Sequence, residues 1–91
     1  MDTNIVQDLL IAYLSTYNYN VDHVNTSDHK ASTLGLDYKS IRFNYYGTKA
    51  EIRIYNPSFI KVRVLNTPGM VCDNLVSAKD AIDRLPRRYM G

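Results

Sequence analysis

The chain has 91 residues, of which 45% are hydrophobic and 22% are charged, and its formal net charge is +2. This length predicts one small domain with one core, and the composition is ordinary for a soluble globular protein. The isoelectric point near 8.7 lies below the value of about 9 that marks a dedicated nucleic-acid binder, so any basic surface must come from local clustering.

The first periodic segment is MDTNIVQDLLIAYLSTY, at the start of the chain. Its apolar residues recur at spacings of three and four, which predicts an amphipathic helix over 4–17, capped by Thr3 or Asn4, with one stripe against the core. The stripe comprises Val6, Leu9, Leu10, Tyr13, Leu14 and Tyr17.

The same segment bears on location. It has an acidic residue where a secretory signal needs basic ones, and polar residues interrupt its apolar positions, so we expect neither a signal peptide nor a transmembrane span. Cys72 is the only cysteine, which excludes an internal disulfide and a zinc site with several thiolates. A single cysteine fits a reducing compartment, and the sequence therefore predicts a cytoplasmic protein without membrane contact.

Residues 18–38 are rich in Asn, Asp, Ser and Thr and are predicted to form a long polar loop that ends near Gly35. Val21 and Val24 leave room for a short edge strand within it. Long loops in small domains are often functional, so this segment is a secondary candidate for partner binding.

Three strands are predicted over 39–46, 50–56 and 60–65, where apolar and polar side chains alternate. YGTK places Gly47 at the first central position of a type II′ turn, which pairs Phe43 with Ile52 and Arg42 with Arg53. NPSF forms the next connection, because its proline suits a turn and not a central strand.

NTPGM breaks the chain after the third strand, and Asp73 is expected to cap a second helix over 74–85 that Pro86 stops. Residues 86–91 form a basic tail that we expect to fray. The predicted fold is a single α+β domain over 1–91 in α-β-β-β-α order. Its three-stranded antiparallel meander sheet, with a short fourth edge strand as an option, carries both helices on one face.

The side of the sheet away from the helices carries the candidate partner-binding residues. They are Arg42, Tyr46, Arg53, Tyr55, Lys61 and Arg63. Like charges on neighbouring strands are mildly destabilising, and only Glu51 is near enough to compensate, so a face selected for stability alone would alternate its signs. Tyr and Arg are enriched at protein-binding hot spots. The simpler interpretation is that these cations keep a solvated face soluble and prevent aggregation.

Other constellations carry little chemistry. Asp22–His23 and Asp28–His29 match no metal-ligand spacing, and a polar loop collects such residues anyway. Cys72 is expected to be a small buried hydrophobe and not a nucleophile, and the four isolated glycines form no phosphate-cradling loop. We therefore expect no enzyme, with no catalytic residues, no metal and no cofactor.

The sequence predicts a small non-enzymatic binding protein, of the kind that phages and mobile elements encode. Its basic, Tyr-containing sheet face would dock onto an acidic surface of a larger protein, such as a nucleic-acid enzyme or nucleoprotein complex, as a steric inhibitor or adaptor. One alternative is direct nucleic-acid binding through the same face. The predicted element order resembles that of double-stranded-RNA-binding domains, but CDNLVSAKD lacks the Lys-rich start of their second helix, so no binding residue is carried over. A structural subunit of a homo-oligomer is the third alternative.

Overall fold

A computed structural model describes residues 2–17, 21–30 and 34–88, and the side chains of Asp22 and His23 lie outside the description. Within these ranges the chain forms two helices and five strands: α1 (Thr3–Ser15), β1 (Val21–His29), β2 (Tyr38–Tyr45), β3 (Thr48–Asn56), β4 (Phe59–Val64), β5 (Met70–Cys72) and α2 (Leu75–Asp83). Neighbouring strands pair antiparallel in chain order, β1-β2-β3-β4-β5. The α+β class and the antiparallel meander are confirmed, but three strands with an optional fourth at Val21 and Val24 were too few, since β1 covers that option and β5 is a fifth strand.

Both additional strands lie at the edges of the sheet. β1 occupies much of the predicted 18–38 loop and pairs with β2 over Val21–His29, with an irregularity between Asp22 and Asn25. β5 lies where a loop between the third strand and the second helix was predicted. Residues 18–20 and 31–33 of the predicted loop are outside the described ranges. The described residues form five strands between the helices, so their element order departs from that of double-stranded-RNA-binding domains.

Each helix begins at a side chain that caps its first turn, though not at the residue predicted. Asp2 precedes α1, and its Oδ1 accepts a hydrogen bond of 2.8 Å from the Ile5 N–H. Asn74 precedes α2, and its Oδ1 accepts one of 2.8 Å from the Ser77 N–H. Both match the geometry of an N-cap residue, whose oxygen binds a free amide of the first turn. Among the described residues, neither helix is long and apolar enough to cross a membrane.

The core lies between one face of the sheet and the two helices. Both helices contact the sheet and each other, so the prediction that they share one face is confirmed. The buried cluster comprises Val6, Leu10 and Leu14 of α1, Ala78, Ala81 and Ile82 of α2, and Ile41, Phe43, Tyr45, Ala50, Ile52, Ile54, Ile60, Val62 and Cys72 of the strands, with Tyr46 and Leu85 at its margin. Alternate strand residues therefore point away from the helices and form a second face, which we call the open face.

The β2–β3 turn differs from the predicted one by a single residue. Tyr46 and Gly47 are the central residues, with φ of 48° and 83°, and Tyr45 pairs with Thr48. Positive φ at both central positions is the type I′ geometry, whose twist suits a two-residue hairpin. The predicted type II′ turn and its pairs were therefore wrong: Arg42 lies opposite Glu51 instead of Arg53. The observed register of β2 on β3 differs from the predicted one by two residues. Because side chains alternate with a period of two, the same residues of both strands still face the core.

The segment after α2 is held against this turn as far as Arg88, contrary to the expectation of a frayed tail. The Thr48 hydroxyl donates a hydrogen bond of 2.6 Å to the Pro86 carbonyl, and the Arg88 N–H donates one of 2.8 Å to the Tyr46 carbonyl. The Arg87 guanidinium carbon lies 4.1 Å from the Tyr46 ring centroid. Residues 89–91 lie outside the described ranges.

Candidate functional site

The open face brings together four of the predicted cations. Arg42 projects from β2, Arg53 from β3, and Lys61 and Arg63 from β4, and the sheet register sets Arg53 opposite Lys61. Glu51 lies between Arg42 and Arg63 in the same register, with one partner on each neighbouring strand. The predicted cluster of positive charge therefore exists, and it is built around a carboxylate.

Glu51 is fully buried on the open face, beneath the arginines that surround it. Its Oε1 accepts hydrogen bonds of 2.8 Å from the Nε of Arg53 and of 2.8 Å from the Nε of Arg63. Its Oε2 accepts one of 2.7 Å from the Ser40 hydroxyl and a longer one of 3.4 Å from the Nε of Arg42. We call Glu51 and its three arginines the Glu51 hub.

The Glu51 carboxyl stays ionised because its partners outweigh its burial. Burial by itself raises the pKa of a carboxyl, but the hydrogen bonds from Ser40, Arg63 and Arg53 together lower the pKa of Glu51 to about 2. The hub therefore holds three guanidiniums and one carboxylate at neutral pH, a net charge of +2 on a small area. Lys61, beside Arg53, adds a further positive charge.

The arginines of the hub differ in how far they reach into solvent. The side chains of Arg53 and Arg63 are 22% and 19% exposed, whereas that of Arg42 is 55% exposed. All three contact Glu51 through Nε, so these contacts leave the terminal guanidinium nitrogens for other acceptors. In Arg63, Nη1 donates to the Thr67 carbonyl at 3.2 Å. Arg42 and Lys61 are accordingly the cations that a partner can contact with least disturbance to the hub.

A row of four rings runs across the open face beside the hub. The rings belong to His29 of β1, Tyr38 of β2, Tyr55 of β3 and Phe59 of β4, and successive centroids are 4.6, 5.3 and 4.6 Å apart. Of the four, only Tyr55 was predicted at the site. Tyr38 has the alternation of its strand as a signal, but His29 depends on β1. Phe59 depends on the two-residue Pro57–Ser58 turn and on the register irregularity at Tyr55 that precedes it.

The rings of this row stack mainly on one another. His29 is nearly parallel to Tyr38, at 8°, and Tyr55 is stacked on Phe59 at 22°. The Arg53 guanidinium lies 4.7 Å from the Tyr38 centroid, joining the row to the hub. Single-stranded nucleic acid binds through bases that stack on open ring faces, and each ring of this row already has one face stacked against a neighbour. The row therefore offers fewer open ring faces to bases than four separate rings would.

Tyr46 does not belong to the open face, and its predicted placement there was wrong. It is 9% exposed, and its ring packs edge to face against Tyr45 and Tyr17 at centroid distances of 4.7 and 6.0 Å. The physical reason is the turn: Tyr46 has left-handed backbone geometry, which ends the alternation of β2 one residue earlier than predicted. Tyr46 lies at the margin of the core, and the Arg87 guanidinium packs over its ring.

The described residues contain no group of three or more His, Cys, Asp and Glu side chains that could hold a metal ion. Asp28 instead pairs with Lys39, with Oδ1 and Nζ 3.0 Å apart, and the Asp22 and His23 side chains are not described. Cys72 is buried as predicted. Its burial, and to a smaller extent the negative charge of Asp73, raises the pKa of its thiol. A raised pKa leaves a weakly nucleophilic thiol at neutral pH.

The open face thus combines a cationic hub, whose Arg42 is the most exposed of its arginines, with the neighbouring Lys61 and a row of packed aromatic rings. Such a surface can receive carboxylates or phosphates from a partner, with apolar contact alongside. No protein-family model, no curated protein and no solved structure matched this chain in the three comparisons made.

Proposed function

We propose that this protein is a non-enzymatic binding module whose open face docks onto an acidic surface of a larger protein. In this role it acts as a steric inhibitor or an adaptor. The observation that carries the proposal is the Glu51 hub, in which a fully buried carboxylate pairs with three arginines of an open sheet face and holds two of them, Arg53 and Arg63, by hydrogen bonds of 2.8 Å.

Fixed arginines favour binding because ordering a long side chain costs about 0.5–1.5 kcal/mol when it happens on association. Arg53 and Arg63 are already ordered by their contacts with Glu51, so a partner carboxylate does not have to immobilise them. The net positive charge of the hub also steers an acidic surface toward the face and rejects basic ones. The adjacent tyrosine and phenylalanine rings provide apolar contact of the kind found at hot spots.

Two alternatives receive less support from this geometry. Direct nucleic-acid binding retains cations for phosphates, but the self-stacked row offers few free ring faces for bases. Homo-oligomerisation through the open face would bring two hubs of net charge +2 against each other across a two-fold axis, which opposes association.

The proposal is tested by capture from a nuclease-treated lysate of the native host, with bound proteins identified by mass spectrometry. Wild-type protein is compared with Lys61→Glu, which reverses a charge on the open face without replacing a residue of the hub, and with Arg42→Gln, which removes the most exposed arginine of the hub. Arg88→Glu is the matched control, because it is exposed and lies beyond α2 at the β2–β3 turn. We expect the open-face variants to lose the same acidic protein while the control retains it. The proposal is contradicted if all four proteins capture the acidic protein equally, or if all three variants, including the control, lose it equally.

A second measurement separates protein from nucleic acid. Fluorescence anisotropy of labelled single-stranded and double-stranded oligonucleotides is followed at about 50 mM salt and above, where phosphate binding weakens linearly on a log–log plot. We expect no oligonucleotide binding of this kind, and therefore no salt-dependent signal for Lys61→Glu to remove. Tight binding with such a salt slope would favour the nucleic-acid alternative over protein docking.

A further inference from the structure

The β5 edge of the sheet has a different surface character from the β1 edge. Among the described residues β5 is the outermost strand, and its Val71 side chain is 66% exposed and Met70 43% exposed. Val76, at the start of α2, is 69% exposed. β1 in contrast is largely polar and carries an irregularity in its pairing, two devices by which natural sheets protect an edge. β5 itself contains no charged residue or proline.

A cleft lies between β5 and α2 at this edge. It has a volume of about 340 Å³ and is lined by Met70, Val71, Cys72, Ser77, Asp80, Ala81 and Arg84. Asp80 and Arg84 supply opposite charges one helical turn apart, beside an apolar strand that has a free edge. This surface has apolar side chains, a strand edge that can pair with another strand, and charges of both signs. It is suited to a two-fold contact, because each charge can meet its opposite on an identical copy.

We propose that two copies of this chain associate through their β5 strands, so that the two sheets continue into one. With a two-fold axis at Val71, the two Val71 side chains meet on the open-face side, and Met70 of each copy lies opposite Cys72 of the other. The same axis makes the two α2 helices antiparallel, and in the proposed dimer they cross near Ile82, so that Asp80 of each copy faces Arg84 of the other. Apolar groups therefore meet apolar groups, and each charge meets its opposite.

The open faces tolerate this arrangement. The nearest open-face cation is Lys61, which is paired with Val71 on the adjacent strand. Across the shared edge the two Lys61 residues are three strand spacings apart, roughly 14 Å. That separation exceeds the screening length of about 8 Å at physiological salt, so their repulsion is small. The dimer presents both hubs on the same side of a continuous sheet.

Sedimentation equilibrium of the full chain at increasing protein concentration tests the proposal, with charge-swapped variants. Asp80→Arg alone and Arg84→Asp alone each place like charges together at both inter-copy pairs, and we expect each to weaken self-association about tenfold or more. Mixing the two variants restores opposite charges at both pairs, so the mixture should associate again as a heterodimer. Val71→Lys should also weaken association, whereas Ile5→Lys, at a 47% exposed site on α1, should not.

Each outcome decides the matter. Concentration-dependent association to twice the mass of one chain, lost in each single variant and regained in the mixture, supports the β5 dimer. A single-chain mass at every concentration up to the millimolar range overturns it, as does association that Val71→Lys and Ile5→Lys affect equally. Circular dichroism of each variant confirms that it is folded, and loss of the dimer leaves the proposed role of the open face standing.

Discussion

Replacing Glu51 by glutamine keeps the shape of the side chain but removes the charge at the centre of the hub. Three guanidiniums then lose their shared anion, while the Ser40 hydroxyl and the arginine Nε groups must bind a neutral amide. Removing one partner of a buried ion pair costs about 3–5 kcal/mol. The lowered pKa gives a similar scale, because a shift from 4.5 to about 2 corresponds to about 3 kcal/mol at neutral pH.

The pH dependence provides a sharper test than the size of the loss. The folded-state pKa of Glu51 is below its ordinary value, so the contribution of this group is complete above about pH 4.5 and is lost as pH falls through about 2. Linkage predicts that the wild type loses about 2 kcal/mol at this group between pH 7 and pH 3, and the glutamine variant loses nothing there. The difference in stability between the two proteins should therefore shrink by that amount on acidification.

Urea denaturation at the two pH values, followed by circular dichroism, measures this difference. Asp28→Asn is the matched control, since Asp28 forms a single ion pair with Lys39 and its side chain is 71% exposed. Such a surface pair contributes about 0–1 kcal/mol. If Glu51→Gln costs no more than the control, or if its cost is the same at both pH values, the hub does not stabilise the sheet in the way described.

Three further outcomes follow from particular contacts. Arg53→Ala should destabilise by about 2–4 kcal/mol and Arg42→Ala by less than about 1 kcal/mol in the same urea assay, because Arg53 makes a short, mostly buried bond to Glu51, whereas the contact of Arg42 is longer and its side chain is more exposed. Equal costs would contradict this difference. Asp83→Ala should cost about 1 kcal/mol in thermal unfolding, since its carboxylate accepts hydrogen bonds of 2.6–2.8 Å from the hydroxyls of Tyr13 in α1 and Tyr17 just after it, and so joins α2 to this segment. An unchanged midpoint would show that these hydrogen bonds do not stabilise the fold. Gly47→Ala should cost about 1 kcal/mol or more by urea titration, because its φ of 83° is unfavourable for a residue with a Cβ, and a neutral result would argue against the type I′ turn.

The cluster of cations was predictable from sequence, but its energetic meaning was not. Alternation placed Arg42, Arg53 and Arg63 on one side of the sheet, and like charges in neighbouring positions indicated mutual repulsion. The actual register sets Glu51 opposite both Arg42 and Arg63, which converts the repulsion into a shared ion pair. A shift of two residues in one hairpin separates these two interpretations, and local sequence does not resolve it, because both registers bury the same residues.

The ring row shows the same limit in another form. Tyr38 and Tyr55 were visible as aromatic residues on or near predicted strands, yet nothing local places His29 beside them. β1 carries mostly polar residues and is held by backbone hydrogen bonds to β2, so its formation depends on pairing with the next strand and not on hydrophobic periodicity of its own. Phe59 joins the row only because a two-residue turn and the irregularity at Tyr55 bring it there.

The sequence by itself determined the class of this protein: two helices and a meander of strands with their aliphatic residues on one side, because hydrophobic periodicity is a local property of each segment. It also determined that cations collect on the opposite side. Only the tertiary structure decided that a buried carboxylate organises those cations, that Tyr46 packs into the margin of the core, and that β1 and β5 are the edge strands of the sheet. Register, edge pairing and ring stacking join residues distant along the chain, and their energies exist only once the strands have come together.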